Sequence, residues 1–255
     1  MAKDDPLFGL RDKVVIIAGA GGGLGGPIAR DLHARGARLA LFDTDEARLQ
    51  AIAADCPDAA SRVADIRDES ALRSVIIHAV EKFGQIDGAV NAAGLLSIEP
   101  STTADTAAFR ETIEVNLTGA FLLSRVTAEA MDDGGRGNGG RIVHLASVSS
   151  QVANAQYAAY ASSKAALSQL VRVLAREWAP RNITVNAIGP AMTATPLTAG
   201  YLADPEFKEK ALAVIPMGRL GEPEDLLGTV VLLLAAGGAF ITGQTIYVDG
   251  GRTLV

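Results

Sequence analysis

Tyr160 and Lys164 stand four residues apart in the run Tyr160-Ala161-Ser162-Ser163-Lys164, within a stretch of helical periodicity, Tyr157–Trp178. On a helix that spacing places both side chains on one face. A phenol with an ordinary pKa near 10 is a poor base at neutral pH. A neighbouring ammonium favours the phenolate and lowers that pKa, which suits the pair to general acid–base work. Two residues at this spacing are also common on plain helix surfaces, so the pair gains meaning from what else the chain holds. Ser147 follows an apolar run, Arg141–Ala146, and its hydroxyl could join the phenol in holding one substrate oxygen. Asn116 lies in a long helical segment, Thr106–Met131, and Asn91-Ala92-Ala93-Gly94 follows the short run Ile86–Val90. In an open parallel sheet, strand C-terminal ends and the helices beyond them converge on one crevice.

A second cluster has different chemistry. Gly19-Ala20-Gly21-Gly22-Gly23-Leu24-Gly25 sits between the apolar run Val14–Ala18 and the helical pattern Ile28–Ala34. A dinucleotide needs its pyrophosphate brought against backbone N–H groups at a helix N-terminus. Glycines allow that close approach while turning tightly. Asp43 ends the next strand, Arg38–Phe42, where a carboxylate can bond the adenosine ribose hydroxyls and would repel a 2′-phosphate. Neither Gly21 nor Gly22 offers a compensating base, so NAD is favoured over NADP. The competing reading of Asp43 is a cap for the helix after it, since Thr44, Asp45 and Glu46 suit a helix start. Asp65, with Ile66 beside it, ends a third strand at Ala60–Ala64 and could accept from the adenine amino group; strand-end capping competes there too.

The elements that must carry these residues alternate along the chain. Helical patterns at Glu46–Ala54, Ser70–Phe83 and Glu222–Ala236 separate further strands at Thr184–Ile188 and Thr245–Val248. Buried apolar strands alternating with helices predict an α/β fold, a doubly wound, seven-stranded parallel sheet with helices on both faces. No repeat or linker divides residues 1–255, so one domain is expected. The five glycines of Asp132–Gly140 follow a helix rather than a strand, which is the wrong context for phosphate and predicts a flexible turn. The stretch 190–216, with Leu197, Tyr201, Leu202, Phe207 and Leu212, is expected to cover the site.

Composition narrows the partners. The net charge of −6 comes from interspersed acids and bases without a basic stripe, which disfavours nucleic acid. Apolar runs such as Val230–Ala236 are too short to span a bilayer. Cys56 is the single cysteine, which excludes an internal disulfide framework and fits a reducing cytoplasm. His33, His78 and His144 have no metal-ligand spacing and are expected to be structural or surface residues.

Together these motifs resemble the short-chain dehydrogenase/reductase family from about Lys13 to Gly251. The glycine pattern of that family matches Gly19, Gly23 and Gly25, and its Asn-Asn-Ala-Gly element appears as Asn91–Gly94 with Ala92 in second place. Its serine, tyrosine, lysine and helical asparagine fall on Ser147, Tyr160, Lys164 and Asn116. The segments Gly218–Glu224 and Val248-Asp249-Gly250-Gly251 also look like the family. The resemblance implies that Tyr160 exchanges a proton with the substrate oxygen during hydride transfer. Lys164 would tune the tyrosine and bond the nicotinamide ribose, Ser147 would orient the oxygen, and Asn116 would anchor a proton-relaying water. Gly189–Thr195, including Pro190, Thr193 and Thr195, would hold the carboxamide end of the cofactor. Ala18, Ala191 and Thr193 depart from the family, which usually has Thr, Gly and an apolar residue there. The wording around Asn186–Thr195 and Tyr247 is similar to the branch acting on polyols and sugar acids. A 3-oxoacyl thioester reductase and a non-catalytic cofactor-binding regulator are the alternatives. The family is commonly tetrameric, so a homotetramer acting on a small alcohol or ketone is expected.

Overall fold

The structure is a computed structural model describing residues 5–131 and 139–255. Seven strands form its sheet: β1 (Val14–Ala18), β2 (Arg38–Asp43), β3 (Ala60–Val63), β4 (Gly88–Asn91), β5 (Gly140–Leu145), β6 (Ile183–Pro190) and β7 (Thr245–Val248). Their order is β3-β2-β1-β4-β5-β6-β7, and every pairing is parallel. The chain winds outward from β1 to β3, then returns to place β4 on the other side of β1. At that reversal neighbouring connections leave on opposite faces and open a crevice beyond the strand ends.

Successive side chains of a strand point to opposite faces, so each face acquires its own apolar layer. Val14 and Ile16 pack with α3 (Glu69–Phe83), α5 (Gly119–Met131) and α6 (Ala158–Trp178) through Leu72, Leu123 and Val171. Val15 and Ile17 face the other way. They meet Ile28 and Leu32 of α1 (Gly25–Ala34), Leu49 of α2 (Glu46–Asp55) and Val230 of α9 (Glu224–Leu234). The doubly wound sheet expected from the sequence is thus present with helices on both faces.

Three segments differ from expectation. The single helix read over Thr106–Met131 is interrupted: α4 (Thr106–Ile113) passes through a π-helical turn, Glu114–Thr118, before α5. A widened turn of this kind is frequent at functional sites and has no period of its own in a sequence. Within 193–216 lie two short helices, α7 (Pro196–Leu202) and α8 (Pro205–Ala213), each opening on a proline after a capping Thr195 or Asp204. Proline at the first helical position forfeits no bond, and this signal was legible. Helix α9 starts at Glu224, leaving Pro223 at its cap rather than inside it. The glycine-rich turn read at 132–140 lies outside the described residues over 132–138, and Gly140 already belongs to β5. Among the described residues no helix is long and apolar enough to cross a membrane, and no His, Cys, Asp and Glu cluster could hold a metal ion.

Candidate active site

The glycine loop is built so that side chains are excluded. Gly19 has φ +70°, and a Cβ there would lie 2.7 Å from the Ala93 nitrogen. A Cβ on Gly25 would lie 2.1 Å from the Gly19 carbonyl oxygen, and one on Gly23 would run into Pro196 and Thr195. Helix α1 therefore starts against the ends of β1 and β4, with Leu24 at its cap and no side chain occupying its N-terminal N–H groups. Ala18 supplies no hydroxyl to brace the turn. The loop is held instead by Gly22 N–H on the Gly19 carbonyl at 3.0 Å and Gly21 N–H on Asp43 Oδ2 at 2.9 Å. The N-cap of α2 is Asp45, whose carboxylate accepts from Arg48 N–H, while Asp43 Oδ1 accepts from Asp45 N–H at 3.0 Å and braces the turn into that helix. Arg48 is a base beside the loop, its Cβ side standing against Gly21, but its guanidinium is paired with Asp45 at 3.0 Å. A bare helix N-terminus, a loop without side chains and a carboxylate at the second strand end fit a dinucleotide.

Ser147, Tyr160 and Lys164 line one cleft of about 560 Å³ with Leu24, Ala92, Ala93, Gly94, Pro190, Thr193 and Thr195. Lys164 is 4% exposed, and its ammonium donates to the Leu145 carbonyl at 2.7 Å while lying 5.7 Å from the Tyr160 ring centroid. Burial lowers its pKa to about 8. The expectation that Lys164 would depress the Tyr160 pKa is not met in the free chain. Burial of the phenol dominates and raises it, offset in part by a hydrogen bond with Ser147. Ser147 Oγ accepts from Ser149 N–H at 3.1 Å, which leaves the hydroxyl proton to point at the phenol or a substrate oxygen.

Two asparagines act behind the cleft wall rather than on its surface. Asn116 is buried in the π-helical turn. Its Oδ1 accepts from Leu95 N–H at 2.8 Å, and its Nδ2 donates to Leu95 O at 2.9 Å and Ser163 Oγ at 3.0 Å. Both amide protons are used within the protein, so this side chain positions the 94–95 turn and the start of α6. Gly94 stays close, since a Cβ there would lie 3.2 Å from Asn116 Oδ1 and 3.5 Å from Lys164 Nζ. Asn91 is 3% exposed and faces β5, with Nδ2 at 3.3 Å from His144 Nδ1 and Oδ1 accepting from Ala93 N–H at 3.1 Å.

The remaining expected residues divide. Thr193 is buried, its hydroxyl on the Ala191 carbonyl at 3.0 Å, and Thr195 caps α7 in a reciprocal pair with Thr198. Asp65 lies outside the cleft lining. Its carboxylate is chelated by Arg67, with Nη2 at 2.6 Å, which holds the Asp65 pKa below the usual range. Ile66 is core, wedged against Gly119 where no Cβ would fit. Sequence reasoning missed Tyr157, which packs edge-on to Tyr160 at 6.2 Å and whose burial pushes its phenol up to about 12. It also missed Asn154, Gln156 and Arg252 on the cleft lining. Gln156 carries a positive φ of 73° just before α6, which no composition signal announces.

A dinucleotide cradle opening onto a half-buried tyrosine and a buried lysine defines a nicotinamide-dependent oxidoreductase of the Rossmann type. The sequence profile of a family described as enoyl-(acyl carrier protein) reductase matches residues 19–253. The chain is 36% identical over 252 residues to galactitol 2-dehydrogenase (L-tagatose-forming) of Cereibacter sphaeroides, covering 97% of this chain and 98% of that one. It is 33% identical to the NAD-dependent glycerol dehydrogenase of Listeria innocua, covering 98% and 97%. A gluconate 5-dehydrogenase from Burkholderia cenocepacia, solved in complex with NADP and tartrate, superposes with a TM-score of 0.92 at 30% identity over 98% of each chain. The chain belongs to the short-chain dehydrogenase/reductase family and is an oxidoreductase acting on alcohols.

Proposed function

We propose that this protein interconverts a secondary alcohol and a ketone with NAD, acting on a polyol or sugar acid, and that Tyr160 is its general acid and base. The observation that carries this reading is the meeting of Tyr160, Ser147 and Lys164 on one cleft wall beside the glycine loop. Gly19, Gly23, Leu24 and Gly25 would hold the pyrophosphate, Asp43 the adenosine ribose, and Ala92–Gly94 with Pro190, Thr193 and Thr195 the nicotinamide half. When bound, the nicotinamide supplies the hydride acceptor or donor. Ser147 donates its proton to the substrate oxygen, since the bond from Ser149 N–H to its Oγ leaves that proton free. Tyr160 takes the alcohol proton during oxidation and returns it during reduction. Lys164, held by the Leu145 carbonyl, presents positive charge to the phenol ring and to a ribose hydroxyl.

Asp43 supports NAD over NADP, since a fixed carboxylate beside Gly21 repels a 2′-phosphate. The same argument disfavours a 3-oxoacyl reductase using NADPH, and retention of Tyr160 with Lys164 disfavours a non-catalytic regulator. The relatives named for galactitol, glycerol and gluconate support the polyol and sugar-acid class. We infer that residues 1–255 act as one unit, assembled as a homotetramer in the cytoplasm. The long helices α5 and α6 are the expected contacts, and a mass of four chains by light scattering checks this. The test of function is a screen of polyols and sugar acids with NAD, read by cofactor absorbance. Tyr160→Phe is expected to abolish turnover while NAD binding survives; unchanged turnover removes Tyr160 from the chemistry.

A further inference from the structure

Ser147 opens a single 3₁₀ turn, Val148–Ser150, whose last residue folds back on it. Ser150 N–H and Ser150 Oγ both donate to the Ser147 carbonyl, at 3.0 and 2.7 Å. A serine hydroxyl has one proton, and here the carbonyl takes it. The other contact of Ser150 Oγ is the Tyr247 phenol at 2.9 Å. The direction of that bond is therefore fixed: Tyr247 donates and Ser150 accepts. The bonds run one way, from the Tyr247 phenol through the Ser150 hydroxyl to the main chain of Ser147.

Tyr247 comes from β7, 97 residues beyond Ser150 in the chain. It reaches the turn by lying across Gly189, its register partner on β6. A Cβ on Gly189 would sit 2.5 and 2.7 Å from two Tyr247 ring carbons and 3.5 Å from the Ser147 carbonyl carbon. A side chain at 189 would therefore push the ring away from Ser150. Ser147, Ser149 and Tyr160 line the cleft, whereas Tyr247 does not, so it can act only through the turn. Ser147 Oγ accepts from Ser149 N–H at 3.1 Å, which ties the catalytic hydroxyl to the same turn.

We propose that Tyr247 is a positioning residue: its phenol, bonded to Ser150, clamps the 147–150 turn and so aims the Ser147 hydroxyl at the substrate oxygen. This rests on the alcohol–ketone reading above and adds to it a residue outside the cleft. The aim matters most as negative charge builds on that oxygen, so loss of the clamp falls on kcat rather than on binding. The test is steady-state kinetics with NAD on the polyol or sugar acid that the screen identifies, using Tyr247→Phe, Ser150→Ala and the double variant. Tyr247→Phe keeps the ring across Gly189 and removes one hydroxyl. It is expected to lower kcat about 3- to 10-fold, the scale of one neutral hydrogen bond. KM for the alcohol and the Kd for NAD by calorimetry stay unchanged. The double variant is expected to lose no more than Ser150→Ala alone, because the two hydroxyls act in series. Ser147 also bonds the Tyr160 phenol and favours its ionisation, so both single variants move the oxidation limb of the pH profile upward. An unchanged kcat, losses that multiply in the double variant, a pH limb that stays in place, or an NAD affinity that falls in step with kcat each overturns the proposal. Failure of the underlying reading has a separate sign: turnover that survives Tyr160→Phe.

Discussion

Asn91 and His144 face each other across β4 and β5, and the hydrogen bond between them fixes which imidazole nitrogen carries the proton. Ser124 Oγ donates to the Ala120 carbonyl at 2.7 Å, so it can only accept from His144 Nε2 at 2.9 Å. Nε2 therefore bears the hydrogen, and Nδ1 accepts from Asn91 Nδ2. Asn91 Oδ1 then holds the Ala93 N–H, against which Gly19 packs. The chain of bonds runs from α5 through the sheet to the floor of the dinucleotide cradle. His144→Leu leaves the buried Asn91 amide without its acceptor. It should cost about 1–3 kcal/mol in chemical denaturation and weaken NAD binding by calorimetry.

The same burial gives His144 a pH signature. Desolvation, with the Lys164 charge nearby, lowers its pKa to about 3 from 6.5. Between those values the unfolded chain binds a proton that the folded chain refuses, so stability falls as pH drops through that window. One proton corresponds to a slope of about 1.4 kcal/mol per pH unit. Denaturation midpoints followed from neutral to acid pH should show this component in the native protein and lack it in His144→Leu.

Tyr160 makes the two reaction directions respond oppositely to pH. Alcohol oxidation uses the phenolate and should rise with pH, whereas ketone reduction uses the phenol and should fall. Burial already raises the phenol, and Lys164→Met takes away the ammonium that lies 5.7 Å from its ring centroid. Lys164→Met should move the oxidation limb to higher pH and cut kcat/KM by at least about 100-fold, the scale of general acid–base catalysis. Initial rates in both directions check the pair of slopes.

Asp43 both carries charge and braces Gly21, so truncation confounds two effects. Asp43→Asn removes the charge and keeps one oxygen, for either the Gly21 N–H or the Asp45 N–H that the carboxylate also holds at 3.0 Å. The ratio of kcat/KM for NAD over NADP should shrink by about tenfold or more, since removal of a like-charge clash is worth over ~1.4 kcal/mol. An unchanged ratio would falsify the charge argument.

Gly25→Ala tests the cradle itself. Its Cβ would sit 2.1 Å from the Gly19 oxygen, so the loop must move. Overpacking of this kind costs about 1–3 kcal/mol, and NAD affinity by calorimetry should fall. Gly84→Ala serves as the comparison, because Gly84 has a φ of +85° that strains an alanine, but open space around it, and it is not on the cleft lining. It should lose stability without losing affinity.

Much of the framework was legible because it rests on local signals. Val14–Ala18 and Thr245–Val248 match their strands end to end: β1 is buried throughout and reads as a continuous apolar run, whereas the half-buried β7 is marked by β-branched and aromatic residues between turns. The order Gly19, Asp43, Ser147, Tyr160, Lys164 also survives folding, because a doubly wound sheet returns each strand end to the same edge. What could not be read depends on distant partners. Asn116 stands in a π-helical turn and spends its amide on Leu95 and Ser163, which no periodicity encodes. His144 read correctly as structural, but its place between Ser124 and Asn91 required the register of β4 against β5.

The reversal of the chain between β1 and β4 has an evolutionary side. Asp43 and most of the glycine loop lie in the first half of the sequence, on one flank of the crevice. Tyr160 and the helices α7 and α8 lie in the second half on the other flank. On the function proposed above, the residues that choose the dinucleotide and those that choose the alcohol lie on separate stretches of chain that meet only in space. A crossover between β4 and α4 would exchange one trait and spare the other, making this architecture a natural substrate for recombination among related enzymes.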